Sequence, residues 1–574
     1  MFKRNDAPVP GGLVLALAAV FSGWACPVHA GRILLADNSQ VLQTWQQSTG
    51  DTATPQLVAQ PDGGTTLQWQ GAITLDAYNN SSRGGNLVTP LRDGNYYKLQ
   101  AQGDLRSTDQ GGAVSYLQFS ASHTDDRGAI SHAPGGQINT LQMGRAGEGY
   151  LLALGDVAAN FSSLGTNTGL RGLMGQRLFG QTLLAAGAGV QAESWESLAS
   201  VVDRTTYLRQ VYAAKLETPL AQSGKAYATI QGYEDDDGSL AQGVSSLAPA
   251  SARSVTAGFA WQEGRFGVQG EAGASRWQED GQGRKHDRAF IVDTNWAFET
   301  AGLRAGYHDI GKHYASLSSQ GGNGIREAYL NGNWMAASWL SLTADLRHSE
   351  NDLAATPPPT TPPTPPTANA AENDALAITA AITFGPAHPA WSLLLNQVLS
   401  DGENSDGTTN RNQGFGATVA YAGQNWNSSL GYNLSKVKND GATSTSGETD
   451  AWVFNLGKMW NDETWSLGLN FTASLQDQEL DTGAGPSTVT WQLGLSSQRA
   501  GWGTLTASYL HGNTEQSGGD TLKQQGWQLE ASHPFKGQNV LKFYFRDNQI
   551  SGSSQVPSAD YSEQTAGLQL VYML

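Results

Sequence analysis

Cysteine is almost missing from this chain: one residue, Cys26, in 574. It lies in an N-terminal stretch that reads as a secretory leader. Lys3 and Arg4 give the positive start, Leu13 to Phe21 a short apolar run, and Val28-His29-Ala30 a small-residue cleavage site, so the mature chain is expected to begin after Ala30. A lipidated leader is the alternative, since Ala25 precedes the cysteine, but Gly23 and Trp24 depart from its usual pattern. Without Cys26 the mature chain can make no disulfide, thiolate metal site, covalent haem link or thiol nucleophile. Long apolar runs are missing too. No later stretch stays apolar for 18 residues, so no helix is expected to cross a membrane. Charge is sparse, at 15 % of residues, and its net value of −17 argues against a nucleic-acid partner.

What is present is glycine (69 residues), tryptophan (17) and a period of two. Trp465, Leu467, Leu469, Phe471, Ala473 and Leu475 alternate with Ser466, Gly468, Asn470, Thr472 and Ser474. Successive strand residues point to opposite faces, so one face of this segment is apolar and the other small and polar. Val489, Trp491, Leu493 and Leu495 alternate in the same way with Thr490, Gln492, Gly494 and Ser496. Leu340 to Arg347 and Leu376 to Thr383 repeat the pattern.

The connections between such segments alternate in length. Tight ones fall at Ala146–Gly149, Gln262–Gly264, Ala422–Gln424, Asn461–Glu463, Arg499–Gly501 and Phe535–Gln538. Long polar ones fall at roughly 79–94, 125–135, 235–251, 311–323, 351–372, 402–409, 438–446, 513–521 and 549–560. A soluble sandwich has no reason to keep that parity, whereas a membrane barrel has short turns on one side and long loops on the other. Trp261, Phe266, Trp296, Phe298, Trp391, Trp426, Trp460, Trp465, Trp502 and Phe535 all stand beside the tight turns, as an interfacial aromatic girdle would. The fold class expected is all-β: a single large antiparallel transmembrane β-barrel of about 26 strands (22 to 26), with short periplasmic turns and long extracellular loops. An even count places both termini in the periplasm. The expected organisation is a leader over 1–30, a periplasmic segment over 31–64 able to act as a partial plug, and the barrel over 65–574, with 351–372 a proline-rich extracellular loop.

The last strand carries a resemblance. Thr565, Gly567, Leu570 and Tyr572 resemble the C-terminal assembly signal of Gram-negative outer-membrane barrels, in which a polar residue, a glycine and two spaced hydrophobic residues recur. Leu574 stands where that signal usually ends in phenylalanine. The resemblance implies insertion by the barrel-assembly machinery and location in the outer membrane, among its lipids and lipopolysaccharide. A second stretch, Leu154-Gly155-Asp156-Val157 with Leu170-Arg171-Gly172, is similar to one in the barrels of fimbrial ushers. Ushers also carry an inserted plug domain and periplasmic domains, for which this chain has no room, so their function is not carried over. Asp156 and Arg171 are read as a lumen or strand-end ion pair.

About 26 strands close a ring roughly 50 Å across if it is circular. A hole that wide needs filling, by inward-folded loops or by a protein partner seated inside. The reading is therefore a wide polar conduit, porin-like or exporting, for a hydrophilic substrate. Asp156, Arg171, Asp345, Arg347, Lys542 and Arg546 are the candidate lumen charges. One alternative is a sheath around a partner such as a multihaem cytochrome, and another is a surface adhesin or scaffold acting through its loops. Acidic clusters at Glu234 to Asp237 and at Asp401, Glu403 and Asp406 read as solvated loop charge, with hard-cation binding the alternative. His308 and His313 have strand spacing that sets them on opposite faces. No nucleophile elbow, zinc helix or phosphate loop is present, so no enzyme activity, cofactor or metal is expected.

Overall fold

The computed structural model describes residues 66–574, apart from 85–91, 127–134, 193, 202–203, 205, 242–247, 316, 319–323, 354–368, 385–387, 389, 405–406, 441–445, 482, 517–518 and 553–559. The leader, the segment 31–64 and the proline tract at 355–367 lie outside the described residues.

The described chain forms a closed antiparallel barrel of 26 strands. Each strand pairs with the next in sequence, from Thr66–Gly84 to Tyr561–Met573. The ring closes where Ala72 meets Met573 and Gly84 meets Tyr561. Closure is what makes the fold viable in lipid, because every strand has a neighbour on each side and ladder edges are left only where one hairpin departs, as described below. One further pair of residues, Leu317–Ser318, lies outside the ring and is described below. The connections that follow even-numbered strands are short, such as 148–149, 264–265 and 462–464. The first strand begins, and the last ends, on this short-turn side. Those after odd-numbered strands are longer on average but not uniformly: 161–165, 280–284 and 481–482 are also short. Several strands run further than their sequence pattern, so Asn79 to Gly84 is strand, as are Asp401 and Glu403.

The pleat sorts the residues as the alternation requires. Leu152, Leu154, Leu173, Ile230, Val255, Phe290, Leu346, Ile378, Leu493 and Phe543 project from the outer face and are exposed. Along Trp465–Leu480 the outward apolar run spans Trp465 to Leu475. Ten residues at about 3.3 Å, tilted by about 40°, give roughly 25 Å, the height of an outer-membrane lipid band. Rings mark both margins. On the short-turn side Trp261, Phe266 and Trp296 touch in sequence, at 5.7 and 5.2 Å between centroids. The Lys458 ammonium lies 4.3 Å above Trp426 and 5.6 Å from Trp460, an outward cation held where its stem can reach the interface. On the other side Trp491, Tyr509 and Trp527 form a second row, with centroids 5.2 and 4.4 Å apart. The sequence placed only the first of these girdles.

Candidate functional site

The inner face carries the polar chemistry. Because Leu346 faces outward, Asp345 and Arg347 face the lumen. There Asn331 donates to Asp345 at 2.9 Å, and Arg347 lies 3.5 Å from Glu327. Glu327 stands 4.0 Å from His308, which meets Asp293 at 3.0 Å. Asp293 also accepts from Gln269 at 3.2 Å and from the Tyr329 hydroxyl. The network thus crosses five consecutive strands, from Phe266–Glu279 to Leu340–Leu353. Lys542 and Arg546 share the lumen face of Asn539–Ser551, since Leu541 and Phe543 point out. Lys542 pairs with Glu530 at 2.7 Å, and the Arg546 guanidinium lies 5.8 Å from the Tyr544 ring. Charges of both signs are therefore interleaved, and most touch a partner.

The other two candidate lumen charges are placed differently. Asp156 and Arg171 stand opposite each other on paired strands, 3.6 Å apart. They share the pleat face of Leu154 and Leu173, the outward one, so they do not line the lumen. Their position reflects a break in the wall. The strand Tyr150–Asn160 pairs with Gly136–Gly147 over only six positions, ending at Gln142 and Gly155. The strand Thr166–Phe179 pairs with Thr182–Gln191 only as far as Arg171 and Val190. Beyond these points the two strands keep each other, from Asp156 and Arg171 to Asn160 and Asn167, but leave the wall as a hairpin.

The bend falls at two glycines that face each other, Gly155 and Gly172. Gly155 has φ of +101°, which disfavours any side chain, and a Cβ there would come within 2.1 Å of the Leu141 carbonyl oxygen. A Cβ on Gly172 would come within 2.2 Å of the Ala188 carbonyl oxygen. The hairpin turn docks on the inner faces of strands Gly224–Asp235 to Lys285–Ala297. Phe161, buried, lies over Gly187. Leu164, 2 % exposed, packs with Ala289, Ile310 and Tyr314. Glu271 accepts from the amides of Ser163 and Leu164 at 3.0 and 3.3 Å and from the Tyr227 hydroxyl at 3.0 Å. Gln231 accepts from the Thr166 amide at 2.5 Å, and Ser162 meets Thr256 at 3.2 Å.

The connection after Ala301–Ile310 folds onto the same place. Tyr314 donates to the Leu164 carbonyl at 3.0 Å, and Leu317–Ser318 pairs in parallel with Thr166–Asn167. Burial, and then the Glu271 carboxylate, push the Tyr314 phenol well above its ordinary pKa, so it remains a donor at any ordinary pH.

The gap the hairpin leaves is filled by the connection after Thr182–Gln191, which carries the helix Trp195–Ala199. Trp195 Nε1 donates to Asp156 at 2.8 Å, and Arg171 donates to the Ala192 carbonyl. Two strand-edge amides that have lost their neighbour are answered by carboxylates: Leu141 by Asp156 at 2.6 Å and Ile138 by Glu196 at 2.5 Å. Sequence reasoning missed Glu271, Gln231 and Tyr314. The one available signal was a lone carboxylate on the lumen face of a run of small residues, Gly270 to Ser275. Of the two acidic clusters, Asp235 pairs with Arg209 and Asp401 with Arg411, at 2.7 and 2.8 Å. Asp406 lies outside the described residues.

A closed ring of 26 strands with an apolar belt outside and paired charges inside is a transmembrane β-barrel of the outer-membrane type. No protein-family model matches the chain, and no curated protein matches it. Among solved structures it is similar to the translocation pore of the P pilus usher PapC, at 9 % identity and TM-score 0.40, over 88 % of this chain and 99 % of that one. It is similar also to the siderophore receptor PirA of Pseudomonas aeruginosa, at 11 % identity and TM-score 0.37, over 88 % and 80 %. A third similarity is to OccK2 of Pseudomonas aeruginosa, at 11 % identity and TM-score 0.28, over 88 % and 97 %.

Proposed function

We infer that the protein is a conduit of the bacterial outer membrane for hydrophilic solutes, with the turn side and both termini in the periplasm and the long connections, the proline-rich one included, outside. The observation that carries this reading is the polar inner face, on which Asp345, Arg347 and Lys542 meet polar partners and Arg546 lies over Tyr544, opposite an apolar outer face. The docked hairpin supplies part of the filling that a ring about 50 Å across calls for. Insertion would follow from the Thr565, Gly567, Leu570, Tyr572 and Leu574 signal, read by the barrel-assembly machinery, with lipopolysaccharide around the outer rim. The chemistry performed is passage rather than catalysis, and a protein partner seated in the remaining lumen is compatible with it.

Ion conductance of the purified full-length mature protein in planar bilayers tests the reading; a barrel that inserts but passes no current would end it. Selectivity follows from the lumen charges. Replacing Arg347 and Lys542 by glutamine leaves Glu327 and Glu530 uncompensated, so the channel should become more cation-selective, and Asp345→Asn should move it the other way. The effect should be weak at 1 M salt, where screening acts over about 3 Å, and grow to roughly twofold in permeability ratio at 0.01 M, where it acts over about 30 Å and spans the lumen radius. Reversal potentials across a KCl gradient read it directly.

A further inference from the structure

We propose that the hairpin from Asp156 to Arg171 is a gate. It swings about Gly155 and Gly172 between its docked position in the lumen and a raised position in the wall between Gly136–Gly147 and Thr182–Gln191. This rests on the conduit reading above and assigns that conduit its moving part.

Three observations converge. The first is the hinge. The two glycines face each other at the level where both outer ladders end, and the ladder between the hairpin's own strands continues past them unbroken. A rigid two-stranded arm with a bend at one level moves as a body.

The second is the dock. Apart from the two-residue bridge to Leu317–Ser318, the polar contacts that hold the turn come from side chains: Glu271, Gln231, Thr256 and Tyr314. Releasing them breaks no ladder between wall strands. The dock is also imperfect. Glu271 is 2 % exposed and Gln231 3 %, yet Glu271 Oε1 and Gln231 Nε2 have no hydrogen-bond partner. Glu271 takes part in none of the ion pairs among the described residues. A buried carboxylate without a cation is costly, so the docked position carries a cost that release into water relieves.

The third is the vacated wall. The amides of Leu141 and Ile138 are answered by the carboxylates of Asp156 and Glu196, not by a strand. Raising the hairpin displaces the connection that carries Trp195–Ala199 from the gap, breaking the Trp195 bond to Asp156, and exchanges these side-chain acceptors for main-chain carbonyls of the returning strand. Both positions therefore satisfy the same edge donors, which is the condition for two states of similar free energy.

Single-channel recording on the full mature protein tests the gate. Wild type should step between a smaller and a larger current level. Glu271→Ala and Gln231→Ala should each raise the time spent at the larger level, by roughly tenfold for the first, which releases both turn amides at once. The expected mature chain has no cysteine, so a pair can be introduced cleanly. Leu164→Cys with Ala289→Cys joins two residues of one packed cluster. Oxidation should abolish the larger level and reduction restore it, which keeps the test independent of whether the Glu271 variant folds. Failure of the pair to cross-link, read by gel mobility, would overturn the docked position. Currents unchanged by oxidation, or by both substitutions, would overturn the gate while leaving the conduit standing. Absence of current in every form would remove the conduit and the gate with it.

Discussion

Leu493→Arg should destabilise the barrel by about 1–3 kcal/mol, whereas Gln492→Arg, one residue away, should fall within about 0.5 kcal/mol of wild type. Leu493 projects from the outer face, paired with Phe471 on one side and Tyr509 on the other. It lies on the outward run Val489 to Leu495, on the lipid side of the Trp491–Tyr509 row, so an arginine there would sit in the lipid band unless its stem reached back past those rings. Gln492 faces the lumen between Thr472 and Leu510, where an added cation remains hydrated. The measurement is unfolding by denaturant in lipid vesicles, followed by tryptophan emission. Equal effects at the two positions would contradict the sidedness of the whole strand, because a shift of one residue in register exchanges its faces.

That sidedness is legible in the sequence, whereas much else about the site is not. The alternation over 465–475 and 489–496 is a direct imprint of a wall with lipid on one side and water on the other, so period, strand number and the turn side could all be read from one repeat. The same repeat sets Asp345 between Ala344 and Leu346 and Lys542 between Leu541 and Phe543, and Arg347 and Arg546 follow two and four positions on along the same faces. Asp156 and Arg171 pair with each other where the outer ladders end, on the outward face marked by Leu152, Leu154 and Leu173. Small residues next to them, Gly155 and Gly172, are tolerated equally by a flat wall and by a bend.

The hairpin itself left little trace. Its turn at 161–165 has five residues, an ordinary length for a barrel connection, and its docking partners come from 65 to 150 positions away in sequence. Local periodicity carries no information about contacts across a lumen. Glu271 is the instructive case. A carboxylate on the lumen face of a membrane strand is unremarkable while water surrounds it, and it became a docking residue only because two amides of a distant turn arrived there.

Gly567→Val should impair closure, lowering stability by about 1–3 kcal/mol and cutting the yield of folded barrel, and Tyr544→Ala in the same chain should restore much of the loss. Gly567 belongs to the last strand, where it faces Tyr78 of the first strand on one side and Tyr544 of its other neighbour on the other. The Tyr544 ring lies across it: a Cβ on Gly567 would come within 2.3 Å of the ring carbon Cζ and 2.4 Å of the hydroxyl. From there the Tyr544 hydroxyl reaches over the last strand to donate to Asp76 at 2.8 Å, so one side chain spans the strand that shuts the ring. Thr565 adds a second tie across the same seam, to Asn80 at 2.9 Å. A branched side chain at 567 displaces the ring and removes the first tie, while the backbone ladder to both neighbours is untouched. Tyr544→Phe alone separates the two contributions, since it loses the bond to Asp76, about 1 kcal/mol or more for a charged acceptor, but keeps the ring over the glycine. The readout is the shift in gel mobility between heated and unheated samples, which distinguishes closed from open barrels. A Gly567→Val protein that folds as well as wild type would show that the packing of the seam does not need the glycine.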